Sequence, residues 1–331
     1  MIQHRPRHPI PTTAMLAILA VALVTAACGA LTGDLGSVAP PATTDPIATP
    51  PGVEPTVDPS EEPTAIPTGP GSSPIASPRP GTPAPSGTTT IRAYFFLGSF
   101  VDNSGLVPVL RQVPETQAVG TAAMKALLAG PNDAELGARP AMYSVIPEGT
   151  RLLGLRIDGG IATVNLSREF ESGGGSASVI GRLAQVVYTL TQFPTVSGVR
   201  FELDGEPVTV FSGDGVVLDA PVDRADYHDL LPMVFVDRPA WGGALGNPAR
   251  LVGLANAFEA TFHVRILDGA GRSLADGPVM ATCGTGCWGT FDVTIPYTVD
   301  AAGWGTLQAY ELSAMDGSVI NLTEYPVWLT P

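Results

Sequence analysis

Residues 259–267, Glu-Ala-Thr-Phe-His-Val-Arg-Ile-Leu, change character at every step. Ala260, Phe262, Val264 and Ile266 fall on one side and Glu259, Thr261, His263 and Arg265 on the other. A period of two is what a strand with one buried face requires. Turn signals follow at Asp268-Gly269, Asp276-Gly277-Pro278, Gly303 and Asp316-Gly317. Short strands at that spacing predict an all-β sandwich of about seven strands over residues 232–331.

Towards the N-terminus the period changes near residue 230. IRAYFFLG (91–98) and LVPVLRQV (106–113) read as strands, and PETQAVGTAAMKALLAGP then reads as a helix with Val119, Ala122, Ala123, Ala126 and Leu127 on one face, stopped at Gly130-Pro131. Two strands, Leu152 to Ile157 and Ile161 to Leu166, flank the turn Asp158-Gly159-Gly160. A second helix, roughly Ser176 to Phe193, carries Val179, Leu183, Val186, Val187 and Leu190 on one stripe, with Pro194 beyond its end. Strands Val199 to Leu203 and Pro207 to Phe211 close the region around Asp204-Gly205. The order predicts a small mixed sheet with two helices packed on it, over residues 91–222. The whole is therefore an α+β chain: a mixed α/β domain followed by a β-sandwich.

Ahead of both domains stands a different kind of sequence. MIQHRPRHPIPTT, with Arg5 and Arg7 and no acid, leads into the apolar Ala14 to Ala27 and then Cys28. A basic start, a short apolar run and small residues before a cut site make a signal peptide over 1–27. The run is shorter than the roughly 20 residues of a spanning helix. Ala26 and Ala27 before Cys28 resemble the lipobox of bacterial lipoproteins, with Thr25 where that family has Leu or Val. The resemblance implies that Cys28 is diacylated and becomes the mature N-terminus, attached to the membrane by two chains where one alone binds marginally. Residues 28–90 are rich in Pro, Thr and Ser, with almost no large apolar side chain, so they are expected to be a disordered tether. Such a tether spans between about 45 Å as a coil and about 190 Å as polyproline II.

The formal charge is −14, or −16 once Arg5 and Arg7 leave with the leader, which argues against a nucleic-acid partner. Lys125 is the only lysine. The acids are spread along the chain, which reads as solubility and not as a binding site.

Two family likenesses cover nearly all of the folded chain. LVPVLRQV, ALLAGP, IPEGTRLLGLRIDGGIATVNLSREF and VVYTLTQFPTVSGVRFELDGEPV resemble the GerMN domain, named from a spore-germination lipoprotein. NPARLVGLANAFEATFHVRILDGAGR, CWGTFDVTI, GWGTLQAYELSAMDGS and YPVWL resemble Gmad2, an immunoglobulin-like domain that often follows GerMN. The resemblance implies extracytoplasmic, non-enzymatic modules of sporulation, germination and envelope proteins, without a catalytic residue set or cofactor. Relatives of GerMN are similar to ring-building modules of secretion-like assemblies, which implies protein partners.

Three groups of side chains invite a site. Cys283 and Cys287 stand four apart with Gly284 and Gly286 between them. Outside the cytoplasm they are expected to form a disulfide across the tip of a hairpin. Zinc would need four ligands and no histidine is near, and redox pairs are usually C-x-x-C at a helix start. Trp241, Trp288, Trp304 and Trp328 all lie in the sandwich, where they pack in or near the core or stack on cell-wall glycan. Glu259 and His263 share a strand face, but residues four apart on a strand are roughly 13 Å apart, too far for concerted acid–base work. His228, in DRADYHDLLP, reads as part of a solvated hinge, and Asp158, Glu169 and Asp204 read as surface acids at turns.

The expectation is a lipid-anchored extracytoplasmic protein that binds an exported protein partner, with a cell-wall glycan-binding module as the alternative. An envelope hydrolase is disfavoured, since no catalytic set assembles at usable spacing.

Overall fold

A computed structural model describes residues 87–98, 103–213 and 215–331. The expected leader, Cys28 and all but the last residues of the expected tether lie outside the described residues.

β1 (Thr88–Gly98) and β2 (Asn103–Pro114) form a long antiparallel hairpin, with Thr88 opposite Pro114 and Phe96 opposite Leu106. Ala93 to Leu97 are all buried. An unbroken buried run means that β1 is covered on both faces. α1 (Val119–Leu128) then packs through Gly120, Ala123, Met124 and Leu127. The single turn α2 (Asp133–Leu136) is held by a capping box in which the Asn132 side chain accepts from the Glu135 amide while the Glu135 carboxylate accepts from the Asn132 amide. Glu135 is buried and pairs with Arg111 of β2, which ties α2 down. β3 (Met142–Tyr143) pairs with β1 at Phe96 and Leu97.

β4 (Leu152–Asp158) and β5 (Ile161–Leu166) flank the Asp-Gly-Gly turn. α3 (Ser176–Leu190) then crosses over to β6 (Gly198–Leu203), which runs parallel to β5, and β7 (Glu206–Pro207) turns back on β6. β8 (Val210–Phe211) and β9 (Val216–Val217) form a separate ribbon. The expected strand Pro207 to Phe211 is thus broken in two, because Pro207 has no N–H to continue a ladder.

The single mixed sheet expected for this region is in fact two sheets, β2-β1-β3 and β4-β5-β6-β7, beside the two-stranded β8–β9 ribbon. α3 is the reason. The Gln192 side chain bonds both the N–H and the C=O of Arg92, at 2.7 and 2.6 Å. Gln185 donates to the Tyr94 carbonyl at 2.9 Å and accepts from the Val145 amide at 3.0 Å. Side-chain amides therefore fill the edge of β1 where a further strand would pair. Every residue from 181 to 190 is buried, so α3 is enclosed and not merely amphipathic. Arg182, 1 % exposed, donates to the carbonyls of Phe170, Ser172 and Gly173 and so holds the loop entering the helix.

The second domain has eight strands among the described residues, one more than expected. They are β10 (Val234–Arg238), β11 (Ala244–Leu245), β12 (Ala249–Ala255), β13 (Thr261–Asp268), β14 (Ser273–Met280), β15 (Gly289–Ile295), β16 (Gly303–Leu312) and β17 (Val319–Leu329). The order is β10-β12-β15 in one sheet and β11-β17-β16-β13-β14 in the other. Phe262, Val264 and Ile266 of β13 are buried, as their alternation requires. Phe262 meets Phe291 of the opposite sheet with ring centres 4.8 Å apart, which makes the sandwich core.

Candidate functional site

The two domains meet at β10. Val234, Phe235 and Val236 are fully buried in succession, so both faces of the strand are covered, one by its own sandwich and the other by the first domain. Asp237 follows. Its carboxylate accepts from the Tyr94 hydroxyl at 2.6 Å and pairs with Arg92 at 3.7 Å and Arg224 at 3.5 Å. The Arg224 guanidinium also lies over the rings of Tyr94 and Tyr188, at 5.3 and 4.6 Å. Tyr188 meets Phe235 edge-on at 5.9 Å. Burial, with Asp237 beside it, pushes the Tyr94 phenol up to about 12, so it remains a donor at physiological pH. A half-buried carboxylate is compensated here by two cations and a phenol, as its desolvation requires.

The main chain closes the junction as well. The Trp241 amide donates to the Pro108 carbonyl at 2.9 Å. Gly105, at φ 87°, lies with the backbone of Leu231 and Pro232 where a Cβ would stand. One continuous buried cluster runs from Ala93 to Leu329 through both domains, and both belong to the compact unit Thr68–Pro331.

The solvated hinge expected around His228 is therefore replaced by a packed connector. Residues 225–230 form a short 3-10 turn with Tyr227 buried. Asp226 accepts from the Asp223 amide and Asp223 from the Ala225 amide, so two of the acids that made the segment look solvated are bonded to its own backbone. His228 lies 5.5 Å from the Trp288 ring. Burial lowers the His228 pKa, against the partial opposition of Asp223, Asp229 and Asp226.

Cys283 and Cys287 form a disulfide with their Cα atoms 5.9 Å apart. It does not close a hairpin tip. β14 and β15 lie in different sheets, so the stapled segment carries the chain across the end of the sandwich. Thr285 donates to the Ala257 carbonyl at 2.9 Å and Gly286 to the Asn256 side chain at 2.8 Å, which presses the staple onto the loop before β13. Gly284 fits because its Cα approaches the Ala257 carbonyl and the Ala260 backbone too closely for any side chain.

Trp328 is 9 % exposed and meets Trp304 edge-on at 5.4 Å. Trp241 and Trp288 are partly buried against the core. Glu259 stands in a turn at φ 52° and not on β13, while His263 stacks on Tyr310 at 5.5 Å. Asp158 and Asp204 are exposed and Glu169 is half-buried, and Asp204 pairs with Arg168 at 3.4 Å. Among the described residues no three metal-ligating side chains converge, and no helix is long and apolar enough to cross a membrane.

One surface escaped the sequence reading. The β16–β17 hairpin ends in a turn closed by Ser313 N–H to Ser318 C=O at 2.8 Å, and Met315 at its tip is 94 % exposed. Val319, Ile320, Asn321 and Leu322 are exposed in succession, with Leu312 opposite Val319 also exposed. Phe258 and Met280 are exposed apolar side chains of the same domain, Phe258 joined to this hairpin through Glu311. The signal available was the string VINL beside Met315, which otherwise reads as ordinary strand.

Family models match the two domains in this order. The Germane family, described as sporulation and spore germination, matches residues 92–209. Gmad2, the immunoglobulin-like domain of bacterial spore germination, matches residues 233–318. The first GerMN domain of the sporulation protein GerM from Bacillus subtilis is 18 % identical, covering 42 % of this chain and 99 % of that one, with a TM-score of 0.33. The tandem GerMN domains of the same protein are 14 % identical over 64 % of this chain and 63 % of that one, with a TM-score of 0.35. A candidate lipoprotein from Clostridium perfringens is 21 % identical over 44 % and 93 %, with a TM-score of 0.30. No curated protein matches the chain significantly.

Proposed function

We infer that this chain, which carries a Germane domain followed by a Gmad2 domain, is a lipid-anchored protein of the cell envelope that acts by holding another exported protein and not by catalysis. Both domain families are associated with sporulation and germination, which is the setting the reading builds on. The observation that carries it is the junction. Two modules that share one core act as a single body, and a single body can present a binding surface in a fixed orientation. The lipobox-like residues ending at Cys28 and the long Pro-rich segment after it supply attachment and reach.

Stacking on a sugar ring needs a flat exposed face. Trp328 is buried with Trp304 edge-on against it, which leaves no such face at that pair, while Trp241 and Trp288 are partly exposed and keep wall glycan as the second reading. In-cell crosslinking of the full-length protein, with Cys28→Ala as the mislocalised control, tests the reading. A discrete protein partner that disappears in the control is the expected result. Capture of wall fragments without protein would overturn it.

A further inference from the structure

We propose that the outer edge of β17, from Val319 to Tyr325, is the docking site, and that it takes an extended segment of the partner carrying alternating apolar and basic residues. This rests on the binding reading above and names the surface and the chemistry of the contact.

Three observations meet at this edge. The first is backbone. β17 lies between β16 and β11, but β11 reaches only Trp328 and Leu329. Among the described residues the strand's outer edge from Val319 to Tyr325 has no neighbouring strand. A row of unpaired N–H and C=O groups is a template for one more strand.

The second is side-chain character. Ile320 and Leu322 are 41 and 43 % exposed, and Val319 and Leu312 are similarly open. Runs of exposed apolar residues are avoided on a surface that binds nothing. The bulge around Asn321, at φ 51°, keeps this edge from being a flat aggregation template while leaving its apolar side chains outward. Glu311, 5 % exposed, fixes the hairpin. Its carboxylate accepts from the Phe258 amide at 3.0 Å and from the Asn321 side chain at 2.8 Å.

The third is charge. The exposed acids of residues 311–325 are Asp316 and Glu324, and the stretch holds no Lys or Arg. A second copy of this acidic chain would meet like charge there, as would an anionic lipid surface. A segment with basic residues between its apolar ones meets opposite charge.

The test uses the full chain and the synthetic heptapeptide Lys-Val-Lys-Val-Thr-Val-Lys, with a Glu-for-Lys counterpart and a Pro-interrupted counterpart. Amide exchange over residues 319–325 is followed by mass spectrometry. The basic probe is expected to slow exchange there by about 10-fold or more, with no slowing from either counterpart. Leu322→Asp and, separately, Ile320→Asp should abolish the protection while leaving the thermal midpoint unchanged. No slowing, or equal slowing by the acidic peptide, overturns the proposal. In cells, a photocrosslinking residue is placed at Leu322 or, as the second site, at the exposed Val217 of β9. A crosslink from Leu322 that the basic probe competes away supports the proposal. Capture from Val217 alone overturns this docking site and leaves the binding reading standing, and capture from neither overturns both.

Discussion

The junction and the hairpin end treat the same kinds of residue in opposite ways. At the junction Phe235 and Tyr188 are out of water and Asp237 is matched by Arg92 and Arg224. At the hairpin end Leu312, Met315, Ile320 and Leu322 stay in water, and the acids nearby have no cation within residues 311–325. The chain has 17 basic residues against 31 acidic ones, so where the cations sit is informative. Two of them close the junction, which makes that region self-sufficient. The hairpin end keeps its apolar side chains in water and holds no basic residue between 311 and 325, which is where the proposed partner segment would sit.

The contrast predicts unequal responses to substitution. Phe235→Ala removes a fully buried ring shared by both domains and should cost about 3–5 kcal/mol, read as a fall in the denaturation midpoint. Asp237→Ala leaves Arg92 and Arg224 facing each other without their carboxylate, and should cost about 2–4 kcal/mol. Losing the Cys283–Cys287 bridge in Cys283→Ser should cost about 2 kcal/mol, the low end for disulfides, because the loop it closes is short. Leu322→Asp at the open end should change stability by no more than about 0.5 kcal/mol. If Leu322→Asp proved as damaging as Phe235→Ala, the contrast between the two regions would collapse.

A pH titration sharpens the junction side further. His228 is held below the ordinary histidine pKa by burial, so as pH falls through about 6.5 the unfolded chain takes up the proton first. Its effect is absent above that pH and destabilises increasingly below it, until the folded imidazole also protonates. NMR of the His228 ring against denaturant midpoints between pH 7 and 5 checks the sign, and His228→Gln should flatten that part of the profile.

What the sequence displayed were features whose cause is local. The alternation of Phe262, Val264 and Ile266 and the glycine turns between strands each depend on a few neighbouring residues, so the sandwich could be read before it was seen. The stripe Val179, Leu183, Val186, Val187 and Leu190 marked α3 for the same reason. Gln185 was invisible as a core residue because a polar side chain on a helix reads as solvent-facing unless its acceptor is known; its acceptor is the edge of β1, which also takes the half-buried Gln192 just past the helix end. The junction was hidden by distance: Tyr94 and Asp237 are separated by 143 positions. No local pattern marks such a pair. Asp223 and Asp226 misled in the other direction, since a run of acids reads as a solvated linker unless their bonds to the backbone of their own turn are known.

The shared core should make the two domains unfold as one body, and scanning calorimetry of the full chain reads this out. A single transition, with a calorimetric to van't Hoff enthalpy ratio of about one, is the predicted result. Two resolved transitions, or a ratio near two, would mean that the domains unfold independently and would contradict it.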